Sequence, residues 1–259
     1  AGPLRIGEAL DNRWIGATVR FRLECHTLMI VSPSDVLPDC RADFDQRVAV
    51  DTAALACALA WESSPSGTVW RKPLYRMGGE HGPVTSLVRY APGGSFRSHF
   101  HPEGEEILVL AGVFADEHGH YPAGTYLLNP DGSHHSPRSD PGCLLFVRLR
   151  QYPGANRPRV VLDTTTGEWR PGPAPGILIQ SLYSQIGYPE QMHLERWMPG
   201  TTRPRDGHSG REEILVLAGE LCDEWGVHGL GSWLRYPSGD AGLFRSAAGC
   251  QLYVRVVLV

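Results

Sequence analysis

The chain has 259 residues, enough for one large domain or two of ordinary size, and either buries a real core. Its 30 glycines and 21 prolines, without long runs of helical period, exclude an all-α protein and favour many short strands joined by turns. A formal net charge of −4 with interspersed signs excludes an extended basic face for nucleic acid or an anionic membrane, and no apolar run is long enough for a membrane-spanning helix.

Residues 1–28 match nothing later in the chain and read as a translated upstream piece or a flexible tail, with Met29 as an alternative start. No basic-then-apolar signal pattern opens the sequence. The six cysteines, Cys25, Cys40, Cys57, Cys143, Cys222 and Cys250, form no C-x-x-C pair and read as reduced thiols, so a cytoplasmic location is expected. The stretch DTAALACALAW (51–61) is the one helix candidate. After it come VTSLVRYAP (84–92), a strand closing on a turn, and EEILVLAGVFAD (105–116), a strand running through a glycine bend. AGTYLLNP (123–130) is a short strand stopped by Pro130, and CLLFVRLRQ (143–151) ends in period-2 alternation.

A shift of 107 residues aligns Pro92–Arg148 with Pro199–Arg255 without a gap, and about 25 of the 57 positions are identical. EEILVLAG at 105–112 recurs at 212–219, and Asp116-Glu117-x-Gly119 recurs as Asp223-Glu224-x-Gly226. The chain is therefore divided into an extension (1–40), a first unit (41–152), a linker (153–168) and a second unit (169–259). Each unit reads as an all-β sandwich or small barrel of the jelly-roll type. Glu106 and Glu213 occur in both units and are expected to serve structure, as partners of a turn or of Arg148 and Arg255. The repeated Asp-Glu pairs are expected in hairpin turns, and Cys143 and Cys250 in the core.

The first unit carries Gly93-x5-His99-x-His101-x3-Glu105-x6-Gly112, followed by Gly124-x5-Pro130-x-Gly132-x2-His135. In a strand His99 and His101 share a face. Glu105 can fold back past the Pro-Glu-Gly turn, and His135 can close a fourth corner from a neighbouring strand. Three imidazoles and one carboxylate make a site for one divalent metal: imidazole suits zinc, iron, nickel and copper, and the carboxylate adds manganese. Tyr126, alternating with Leu127, is expected to point into the barrel, and it and Glu103 are the candidates to assist a reaction. In the second unit Asp206 replaces His99 and Gly242 replaces His135. Asp206, His208 and Glu212 are left as a degenerate site, and a decayed pocket is expected.

These two motifs resemble those of the cupin superfamily, with Ser139 standing where its second motif usually ends in Asn. The stretch TSLVRYAPGGSFRSHFHPEGEEILVLAGVFADEHGHYPAGTYLLNPDGSHHSP resembles the ChrR-like cupins. That group is similar to the cupin domain of the anti-sigma factor ChrR and to 2,4′-dihydroxyacetophenone dioxygenase. The resemblance covers about residues 40–257 as two tandem barrels, a bicupin of the RmlC-like jelly-roll kind. It implies His99, His101, Glu105 and His135 as metal ligands, with zinc in regulator-like members and iron in oxygenase-like ones.

Two functions follow as expectations: a metal-dependent dioxygenase acting on a small dicarbonyl or hydroxyketone, or a non-catalytic zinc cupin that senses a ligand or oxidative stress. A small-molecule ligand and homodimerisation are expected, with no nucleic-acid or membrane partner. The H-x3-C-x2-C zinc motif of an anti-sigma domain is missing from this sequence, so direct binding of a sigma factor is not expected.

Overall fold

The structure is a computed structural model that describes residues 48–51 (backbone only), 61–78, 81–154, 156–206 and 210–258. The helix candidate at 51–61 falls largely on residues 52–60, outside the described residues. Every regular element among the described residues is a strand, and no helix occurs among them, as the glycine and proline content implies. None therefore crosses a membrane as a helix.

The four strands read from the first unit are found at Val84–Tyr90, Glu105–Asp116, Thr125–Asn129 and Cys143–Leu149. They lie in one curled sheet ordered Val160–Asp163, Thr125–Asn129, Glu105–Asp116, Cys143–Leu149, Val84–Tyr90, Val69–Arg76, Glu62–Ser63. The second unit repeats that order with Val48–Asp51, Ser232–Tyr236, Arg211–Gly219, Cys250–Val257, Glu190–Trp197, Ile177–Ser184 and Arg170–Pro171. Both central strands bend at an equivalent glycine, Gly112 and Gly219, with φ of 72° and 69°. A β-carbon at either would collide with the carbonyl of Gly142 or Gly249, so only glycine fits the bulge.

The sequence shows no sign that the outermost strands are exchanged. Val160–Asp163, from the segment joining the units, pairs with Thr125–Asn129 of the first barrel. Val48–Asp51, which precedes the first barrel, pairs with Ser232–Tyr236 of the second. The registers correspond: Val160 stands opposite Leu128, and Val48 opposite Arg235, its equivalent 107 residues on. Each barrel is thus edged by a strand from the chain leading into the other.

Alternation along the central strands sends side chains two ways. Ile107, Val109, Leu127, Leu145 and Val147 fill the first barrel with Val88 and Phe114, and Ile214, Val216, Leu234, Leu252 and Val254 fill the second. The opposite faces pack against each other: Leu108, Tyr126, Leu128 and Phe146 meet Leu194, Leu215, Trp233 and Tyr253 in one shared core. The two barrels stand back to back across this core.

The repeated glutamates lie in that seam. Glu106 accepts hydrogen bonds from the hydroxyls of Tyr152 and, at 2.5 Å, Tyr253, and lies 3.5 Å from Arg148. Glu213 accepts from Arg148 and, at 3.2 Å, from Arg255, with Arg235 at 3.6 Å. Pairing with Arg148 and Arg255 was legible in the sequence, whereas the crossing of Arg148 to the other unit's glutamate was not. Burial alone would raise the Glu213 carboxyl, but Arg148, Arg255 and Arg235 overrule it and bring it down to about 2.

Candidate metal centre

The histidines of the first barrel sit on a small two-stranded ladder, His99–His101 against Ser133–His135. His99 faces His135 across it, and His101 faces Ser133. The spacing of two puts His99 and His101 on the inner side, while Phe100 and His134 between them turn outward and touch each other at 5.4 Å. The Pro-Glu-Gly turn then brings Glu105 beneath them. Glu103 and Gly104 both take left-handed backbone angles, φ 57° and 74°. Asp131 accepts the Glu103 N–H at 2.7 Å, and the Tyr152 N–H bonds the Glu103 carbonyl at 2.7 Å. The turn is clamped on both sides, so the distance from ladder to Glu105 is fixed.

Three imidazole nitrogens, from His99, His101 and His135, lie within 4.8 Å of one another, and this group could hold a metal ion. Nε2 of His101 is 2.9 Å from Nε2 of His135, and Oε2 of Glu105 is 3.5 Å from each of them. Donors about 2.0–2.1 Å from one cation stand roughly 2.9–3.4 Å apart between right-angle and tetrahedral geometry, so the His101–His135 gap fits, and Glu105 and His99 would have to close in slightly on a bound ion. A 2.9 Å gap between two imidazole nitrogens needs a shared proton or a shared cation. Burial, then His135 and His99, lower His101 to about 3, so its ring is neutral and its lone pair available.

The far sides of the rings are held. His99 Nδ1–H donates to the Arg97 carbonyl at 2.8 Å, which leaves Nε2 for the centre. His135 Nδ1–H faces Asp116 Oδ2 at 3.4 Å. Burial opposes the charge on both partners, yet that hydrogen bond raises His135 and, with the His118 N–H and the Tyr121 hydroxyl, brings Asp116 down to about 2. Asp116 thus serves two purposes. Its Oδ1 caps the hairpin turn through the N–H groups of His118 and Gly119, and its Oδ2 aims His135. Sequence reasoning assigned it only the first, because the D-E-x-G pattern reads as a turn; its inward position came from the fold. Arg159, in the connecting segment, lies 3.6 Å from Asp116 and bonds Asn129, which in turn bonds Glu105.

A cavity of about 200 Å³ opens beside the four side chains. Val88, Ile107, Phe114, Leu145 and Val147 make its apolar walls, and Arg71 and Arg150 are its cationic lining. Tyr126 is not there. It is fully buried in the seam between the barrels, because strand parity turns Leu127 inward and Tyr126 outward. Glu103 is exposed on the turn and does not line the cavity either. The sequence had no means of showing which face of Thr125–Asn129 meets the second barrel, since each face carries a leucine. His118 and His120 are exposed, as expected, and burial pushes the Cys143 thiol up to about 11 and that of Cys250 to about 12.

The second barrel has a comparable cavity of about 260 Å³ with different contents. Glu212, equivalent to Glu105, accepts from Arg203 at 2.6 Å. Arg205 is buried among Glu224, with which it is ion-paired, Asp240 at 3.4 Å and Asp223 at 3.9 Å. A β-carbon at Gly242, the equivalent of His135, would collide with the Arg205 guanidinium. Two arginines therefore occupy the space and satisfy the carboxylates. Of the expected degenerate set, Asp206 and Glu212 line this cavity, while His208 lies outside the described residues. Among the described residues, the three histidines of the first barrel are the one group of this kind.

A family model for the ChrR cupin-like domain matches residues 45–153 and again 157–255. No curated protein matches the sequence. Among solved structures, salicylate 1,2-dioxygenase from Pseudoaminobacter salicylatoxidans, solved with gentisate, superposes with a TM-score of 0.59 at 12% identity over 86% of this chain and 84% of its own. A provisionally named dioxygenase from Nostoc punctiforme gives 0.64 at 15% identity over 83% and 80%. The Escherichia coli pirin YhhW, solved with nickel(II), gives 0.55 at 12% identity over 82% and 98%. At such identities these likenesses concern the fold.

Proposed function

The chain belongs to the ChrR cupin-like family, and from that premise we propose that its first barrel is a metal-dependent dioxygenase site for a small dicarbonyl or hydroxyketone. The observation that carries this reading is the convergence of His99, His101, His135 and Glu105 beside a cavity with apolar walls. In this reading those four side chains hold one divalent cation, with iron the choice for reaction with dioxygen. A metal bound there would supply Lewis acidity and a template for substrate and dioxygen.

The chain's own residues do the rest. Arg97, through its carbonyl, and Asp116 keep the Nδ1 protons of His99 and His135 in place and direct Nε2 inward. The aliphatic and aromatic wall excludes water from the reacting carbons. Neither Tyr126 nor Glu103 reaches the cavity, so the chain offers no separate base from those two residues. The overall reaction balances without a further reactant, because a hydroxyketone and dioxygen contain all the atoms of the two carboxylic acids formed when the bond between carbonyl and carbinol carbons breaks.

Metal analysis of protein purified with and without air, together with oxygen uptake on adding a hydroxyketone or β-diketone, tests the proposal. Iron with substrate-dependent oxygen uptake is expected. Stoichiometric zinc that is indifferent to oxygen, with no uptake after iron loading, would replace it with the non-catalytic zinc cupin.

A further inference from the structure

Two guanidinium groups line the cavity without a carboxylate of their own. Arg71 lines it from the strand Val69–Arg76, stacked 5.3 Å over the Phe96 ring. Arg150 lines it from just past the end of Cys143–Leu149. Neither side chain makes an ion pair or hydrogen bond among the described residues. One carboxylate, Glu105, shares the lining, and it is already taken by His101, His135 and Asn129. Both arginines share that lining with His99, His101 and His135.

Backbone strain and the duplication add two independent observations. Arg150 has φ of 59°, a left-handed conformation that glycine would hold more easily, so the side chain is kept at a backbone cost. In the second barrel both positions are apolar. Ile179 stands where Arg71 does, opposite Glu195 as Arg71 is opposite Val88. Val257 stands where Arg150 does, one residue beyond the partner of Glu212. Where the histidines are missing, the two guanidinium groups are missing as well.

The geometry points to a substrate that enters as an anion: a small carbonyl compound bearing a carboxylate, held by Arg71 and Arg150 with its carbonyl toward the histidines. This rests on the metal-site reading above and narrows it to one substrate class. A carboxylate accepts from both guanidinium groups in charge-assisted hydrogen bonds, which the alkyl end of an uncharged dicarbonyl does not.

The test uses two probes of nearly equal shape, pyruvate and butane-2,3-dione, titrated calorimetrically into the full-length protein with metal content measured on the same samples. Arg71→Met and Arg150→Gly, the latter suited to the backbone angle, should each weaken pyruvate by at least about tenfold, the effect of one charge-assisted hydrogen bond. Butane-2,3-dione should change little, Arg71→Lys should recover part of the pyruvate affinity, and metal content should stay at the wild-type level. Unchanged pyruvate affinity in both variants would overturn the assignment, as would loss of metal in parallel with loss of pyruvate. If the wild-type protein takes up no metal, the metal-site reading falls separately. Arginine-dependent binding of pyruvate would still uphold the anion site in that case, and arginine-independent binding or none would end it.

Discussion

The first and second barrels share a scaffold and differ in their chemistry. The identical positions, EEILVLAG, the Asp-Glu-x-Gly hairpin and the bulge glycines, are those that build the central strand, turn the hairpin and line the seam. Among the positions that changed, His99, His135 and Phe96 line the cavity of the first barrel, and Asp206, Arg203 and Arg205, which stand for His99, Phe96 and Ser98, line that of the second. The comparison teaches what a buried carboxylate requires. Asp223 and Glu212 remain in the second barrel, and without three imidazoles to bring a cation the fold supplies its own in Arg205 and Arg203.

The sharpest way to break this comparison is to remove one imidazole from each barrel. His101→Ala should abolish metal uptake, read by elemental analysis, while His208→Ala should leave it unchanged. Loss of metal from the second variant would end the one-site account.

Next in size is the seam, where the barrels depend on each other. Glu213→Gln should cost about 3 kcal/mol of unfolding free energy by denaturant titration, because Arg148 and Arg255 would be left buried without their charge partner. The sign with pH follows from the lowered carboxyl. Its contribution is complete above the ordinary value of 4.5 and is lost as pH falls from there toward about 2. The stability gap between wild type and variant should therefore close across that window.

The hairpin aspartates separate scaffold from chemistry on a smaller scale. Asp116→Asn should weaken metal binding by about 10- to 100-fold, because it removes the group that orients His135. Asp223→Asn, at the twin position, should leave metal binding alone and affect stability only. Equal effects on metal binding would mean that the two hairpins do the same work. Smallest of all, Tyr126→Phe should change neither metal content nor oxygen uptake and should shift stability by less than about 1 kcal/mol, since its ring lies in the seam.

Much of this was legible in the residues. The repeat declared two units, and the glycine and proline spacing declared strands. The histidine spacing of two put His99 and His101 on one face, with the turn returning Glu105 to them. What escaped depends on which strands become neighbours. Tyr126 lies in a strand with leucine on both faces, so its direction depends on the other barrel. Asp116 looks like turn chemistry until Ser133–His135 folds across it. Arg71 and Arg150 are 79 residues apart (150 − 71) and carry no motif; only closure of the sheet brings them to one cavity.

The exchange of outermost strands has a consequence for how the halves are joined. Cutting the backbone between the barrels would not release two separate modules, since each fragment would still carry a strand borrowed by the other sheet. Such mutual lending is what a swapped homodimer becomes once its two chains are fused end to end. A nicked molecule of this kind should migrate intact through a sizing column and come apart only when denatured.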